Sequence, residues 1–100
     1  MNKDFTTIQI EAITKVIEAL YNGNTKIGTI VRNENIQLFK DNENNCYISF
    51  DSAKQGELAG VEVRTHYMKI NALGERTNLS EQHDDFYLQK LFSELELIIF

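Results

Sequence analysis

The chain reads as a single α+β domain over residues 1–100. An N-terminal helix leads into a four-stranded antiparallel meander and then a C-terminal helix, with both helices expected on one sheet face. Three observations predict this. Apolar residues recur at three- and four-residue steps near each end of the chain. From Lys26 the period shortens towards two, in segments rich in β-branched and aromatic residues. The first breaks between those segments are brief and Asn-rich, too brief for the crossover that parallel strands require.

The first helix is expected from about Thr6 to Asn22. Ile10, Ile13, Val16, Ile17 and Leu20 form its apolar stripe. Asp4 or Thr6 can cap its start through a side-chain oxygen, and Gly23 is the natural left-handed stop. Glu11 and Lys15, four residues apart, are placed to pair on the outer face.

Four strands follow, at residues 26–32 (KIGTIVR), 36–40 (IQLFK), 46–51 (CYISFD) and 61–70 (VEVRTHYMKI). Residues 33–35 and 41–45 are the turns, because Asn and Asp tolerate turn conformations. The longer connection at 52–60 has room for one helical turn ending at Gly56. In the fourth strand Val61, Val63, Thr65 and Tyr67 alternate with Glu62, Arg64, His66 and Met68. Ile70 falls on the polar side of that alternation, which suggests a twist or bulge near residues 67–69.

A loop over residues 71–79 leads to the last helix, with Asn78 or Ser80 as its cap. Leu88, Leu91, Phe92, Leu95 and Ile99 make its stripe. Phe86 and Leu97 point away from that stripe at 100° per residue, as Ile8 does on the first helix. Such residues are either partner anchors or ordinary exposed side chains. For Leu97 a further alternative is that residues 97–100 leave the helix and pair as a strand.

A length of 100 residues, 42% of them hydrophobic and 25% charged, fits one folded core. Cys46 is the single cysteine, whereas a secreted domain of this size usually carries several disulfides. The first residues lack the basic and then apolar regions of a signal peptide, and the longest apolar run, residues 97–100, is far too short for a bilayer. A reducing, cytoplasmic location is expected. The net charge of −5, from 15 acids against 10 bases, argues against direct nucleic-acid binding, which needs clustered Lys and Arg. It suits a basic protein partner, and equally suits simple solubility.

Three clusters invite a chemical reading. His83, Asp84 and Asp85 could bind a metal or work as base and orienting acid, but neighbours on a helix diverge by 100°. Acids in a first turn more simply complement the positive helix end. Arg64 and His66, with Glu62 beside them and Tyr67 nearby, could hold a phosphate or carboxylate. A solvated sheet face carries the same mixture, and Tyr47 and Ser49 on the third strand could extend it. Cys46 could be a nucleophile with His66 or His83, yet it shares a strand face with Ile48 and Phe50, which points to the core. The glycines form neither a dinucleotide fingerprint nor a phosphate loop, and there is no nucleophile elbow and no paired CxxC. No cofactor and no metal is expected.

The favoured reading is a small acidic, non-enzymatic protein-binding domain. Its specific form is an inhibitor of a basic nucleic-acid-handling enzyme, of the immunity, anti-restriction or anti-CRISPR type. The contact residues would be Glu81, Asp84, Asp85, Phe86, Glu94, Glu96 and Leu97. Two alternatives stand beside it. One is a ligand-binding domain or small enzyme centred on Arg64, His66 and Tyr67. The other is a regulatory homo-oligomer, a homodimer being its simplest form. No membrane association is expected.

Overall fold

The computed structural model describes residues 5–21, 32–55 and 61–98. The candidate cap Asp4, the stop Gly23, the turn at Gly56, Ile99 and all but Arg32 of the strand expected at 26–32 lie outside them.

Helix α1 runs Thr7–Tyr21. Its start is fixed reciprocally. The Thr6 hydroxyl accepts from the Gln9 amide at 3.1 Å, and Gln9 Oε1 accepts from the Thr6 amide at 3.2 Å. Ile13, Val16 and Leu20 are buried as the periodicity predicts, and Ile17 partly so. Ile10 is not: it is 45% exposed, and fully buried Gln9 takes its place in the stripe.

A buried carboxamide is costly unless hydrogen-bonded, and Gln9 is well served. Its Nε2 donates to the Asn44 carbonyl at 2.9 Å and to the Ile70 carbonyl at 3.0 Å. One side chain thus ties the helix start to two distant segments of the sheet. Gln9→Ala should cost about 1–3 kcal/mol, because it strips partners from two buried carbonyls. Gln9→Leu, closer in volume, should also destabilise. A urea midpoint for Gln9→Leu equal to that of the wild type would show that the clamp adds nothing.

The strands are β1 (Arg32–Lys40), β2 (Cys46–Gln55), β3 (Val61–Ile70), β4 (Arg76–Asn78) and β5 (Glu96–Ile98). Every pairing is antiparallel and the order is β4-β3-β2-β1-β5. The sheet therefore has five strands among the described residues, not four. Two of the five, β4 and β5, are not among the four expected, and both are short. One lies in the expected loop, the other in the expected tail of the last helix, where strand pairing prevails over continued helix.

Asn33, Glu34 and Asn35 are not a turn but part of β1, in register with β2 up to Glu34↔Asp51. The ladder resumes at Gln37↔Ser49, so residues 35 and 36 oppose one residue, Phe50. That bulge is where the turn-like composition is accommodated. Likewise β2 continues through Gln55 where a loop was expected. β3 holds the bounds the sequence predicts, but it pairs with β2 without interruption, so no bulge lies at 67–69.

The β1–β2 and β3–β4 turns share one design. Asp41 Oδ1 accepts from the amides of Glu43 (2.8 Å) and Asn45 (3.1 Å), and Asn71 Oδ1 accepts from those of Leu73 (3.0 Å) and Glu75 (2.9 Å). Each turn closes through a left-handed residue, Asn44 at φ 64° and Gly74 at φ 81°. Glycine is needed at the second, since a Cβ there would stand 2.8 Å from Ile8 Cγ2. Asp41 Oδ2 also accepts from Asn45 Nδ2 and the Tyr47 hydroxyl, both at 2.9 Å. Burial pushes the Asp41 carboxyl up, but these hydrogen bonds, led by Asn45, outweigh it and hold the group below the usual carboxylate range.

Alternate residues of the strands feed two cores. Cys46, Ile48, Phe50, Leu38 and Ile70 pack with Ile13, Val16 and Leu20 of α1. Tyr47, Tyr67 and partly buried Phe39 pack instead with Leu79, Leu88 and Phe92. Successive strand residues point to opposite faces, so the two helices serve opposite sides of the sheet. The expectation of both on one face fails for a definite reason. Ile70 and Met68, read as the polar side of β3, are core for α1, and Tyr47 and Tyr67 are core for the C-terminal helix.

Candidate functional site

The C-terminal helix, α2, spans Asp85–Ser93, shorter and later than the sequence suggests. The two expected caps act just before it. Asn78 Oδ1 accepts from the Ser80 amide and caps a 3-10 turn at Leu79–Glu81. Ser80 Oγ accepts from the Tyr67 amide at 2.8 Å, which fastens this turn to β3. Asp84 caps α2 itself, its Oδ1 accepting from the Tyr87 amide at 2.8 Å.

Leu88 and Phe92 hold α2 to the sheet. Phe92 meets three rings edge-on, at 5.3 Å from Phe39, 5.6 Å from Tyr47 and 4.8 Å from Tyr67. With that face committed, the first turn must present its other side to solvent. Phe86 is 87% exposed there and Tyr87 is 50% exposed. The His83 and Tyr87 rings lie 4.7 Å apart. Glu81, Asp84 and Asp85 are exposed around them, and no Lys or Arg occurs between Leu79 and Gln89.

Four of the expected contact residues are thus gathered: Glu81, Asp84, Asp85 and Phe86. Tyr87 belongs with them and was missed, because its position beside Leu88 and Leu91 reads as a flank of the stripe. The other three are not gathered. Glu94 caps the far end of α2, about 13 Å along the axis. Glu96 and Leu97 lie beyond it in β5, where they face opposite sides of the sheet. Leu97 is opposite Phe39, whereas Glu96 is opposite Lys40 and within 3.5 Å of its ammonium.

The alternative site is split by the sheet. His66 is opposite Phe50, their rings stacked at 5.0 Å, and Arg64 lies two residues along on that same face. Tyr67 faces the α2 side, opposite Ser49, so Tyr47 and Ser49 extend the Tyr67 side and not the His66 side. Burial lowers the His66 pKa, and the Arg64 cation adds to this against the opposing pull of Asp85 and Asp51. The imidazole is therefore mainly neutral at pH 7. Cys46 has no exposed surface, and burial pushes its thiol up to about 12, far from a nucleophile's range. Among the described residues no group of three or more His, Cys, Asp or Glu is placed to hold a metal ion, and no helix is long and apolar enough to cross a membrane.

No family model, curated protein or solved structure matches this chain. Its own surface chemistry has to carry the functional reading.

Proposed function

We propose that this chain is a non-enzymatic protein-binding domain that presents the start of α2 to a basic partner. The observation that carries this reading is the Phe86 ring, 87% exposed beside Tyr87, with exposed Glu81, Asp84 and Asp85 in the five residues before it. A large ring left in water on a firmly docked helix is a ready source of affinity once a partner covers it. Glu81, Asp84 and Asp85 add attraction for Lys and Arg, which speeds encounter and selects the partner. Together they suit a groove that is apolar at its floor and basic at its rim.

The specific form of the proposal is inhibition of a basic nucleic-acid-handling enzyme, as immunity, anti-restriction or anti-CRISPR proteins do. A patch of three carboxylates and two rings would plug such a groove at one point rather than imitate a duplex along its length. Its support is the chain's small size, its net charge of −5 and the lack of Lys and Arg between Leu79 and Gln89.

The test is capture by the tagged chain from lysate of its source cells at about 0.1 M and 1 M salt, between which the Debye length falls from ~10 Å to ~3 Å. The expected prey is a basic protein whose recovery drops at high salt. Recovery unaffected by salt would remove the acidic rim from the account. Recovery of the chain alone would favour the homo-oligomer instead.

A further inference from the structure

We propose that the cleft between α1 and the β3–β4 hairpin binds a small amphipathic monoanion, such as a medium-chain or aromatic carboxylate. The cleft is open to solvent and has a volume of about 400 Å³, within the range of small-ligand sites. Its helix wall is Ile8, Glu11, Ala12, Lys15 and Val16, which follow the i, i+3, i+4, i+7, i+8 pattern of a single helix face. Ile70, Gly74 and Arg76 supply the opposite wall.

The walls are joined at the helix start by contacts that do not use the cleft's charged side chains. Thr6 Oγ1 donates to the Ala72 carbonyl and Gln9 Nε2 to the Ile70 carbonyl, pinning the helix start to the hairpin. Gly74 lets Ile8 come close to the turn without filling the space. The cleft is thus built before any ligand arrives, which lowers the ordering cost of binding.

Its chemistry is divided. Ile8 and partly buried Ala12 offer most of the apolar surface, above the buried Val16 and Ile70, while the charged lining groups are Lys15, Arg76 and Glu11. The pairing of Glu11 with Lys15 expected from their spacing does not form, and neither cation is engaged in an ion pair among the described residues. Two cations against one carboxylate leave a single net positive charge in an otherwise acidic protein. An apolar body with one negative head satisfies both parts. A dianion would meet Glu11, and a neutral molecule would leave the cations unused. This site is on the α1 side of the sheet, so it stands or falls independently of the α2 surface.

The experiment is titration of the full chain with octanoate, followed by amide chemical shifts. Saturable shifts are expected at Ala12, Gly74 and Arg76, with a dissociation constant on the order of 1 mM. Hexanoate should bind roughly tenfold more weakly, at about three- to fourfold per methylene. Lys15→Ala with Arg76→Ala should weaken octanoate about tenfold, whereas Glu11→Gln should tighten it about two- to threefold. All three side chains are exposed, so folding should survive, and circular dichroism checks this. Octanol binding as tightly as octanoate, a Glu11→Gln variant that binds no better, shifts centred elsewhere, or no saturation by about 20 mM would each overturn the proposal.

Discussion

Phe92→Ala is expected to destabilise the fold by about 3–5 kcal/mol, a large share of what a domain of this size possesses. The ring is the centre of the second core, in edge contact with Phe39, Tyr47 and Tyr67, and these aromatic contacts add to simple burial. Removing it leaves a cavity among three rigid rings that cannot easily collapse onto alanine. Phe92→Leu should lose less, about 1–2 kcal/mol, and remain folded enough to measure. Chemical denaturation of both variants checks the order. Stability close to wild type in Phe92→Ala would mean that α2 is not anchored as described, and its exposed face would lose its rigid support.

Phe86→Ala, six residues earlier on the same helix, should behave in the opposite way. The ring is 87% exposed, so its loss should leave the unfolding midpoint within about 0.5 kcal/mol of wild type. Binding to the captured partner should weaken by about 2–4 kcal/mol, some 30- to 800-fold, if the ring is the anchor that the surface suggests. Asp85→Asn should act mainly on the association rate and its salt dependence. Titration calorimetry and stopped-flow mixing separate the two effects. An unchanged affinity for Phe86→Ala would remove the ring from the interface.

Much of the fold was legible in the chain, and the misreadings have local causes. The 3.6-residue period found α1, and alternation found β3 with its bounds intact. What alternation did not reveal is which side of β3 was covered. His66 and Arg64 made one side look polar, while Ile70 and Met68 farther along that side are packed against α1. Composition misled at Asn33–Asn35, where β2 supplies a ladder and a bulge absorbs the irregular step. Gln9 was invisible as a core residue because its burial depends on carbonyls 35 and 61 residues away. Helical period carries no information of that kind.

The candidate surface divides in a similar way. Glu81, Asp84, Asp85 and Phe86 were recognisable because they are neighbours in sequence at one helix end. Glu94, Glu96 and Leu97 were grouped with them on the assumption that the helix continued. Once the chain turns into β5, Leu97 and Glu96 separate to opposite faces, and Glu96 meets Lys40. Local grouping survived and long-range grouping did not, since only the first is independent of where the helix stops.

Amide hydrogen exchange of the free and partner-bound chain tests the central claim most directly. Slowed exchange is predicted across residues 81–90, with β3 unchanged, because the partner would cover Phe86 and Tyr87 and stiffen the helix beneath them. Protection confined to Arg64, His66 and the rest of β3, with residues 81–90 exchanging as in the free protein, would contradict it.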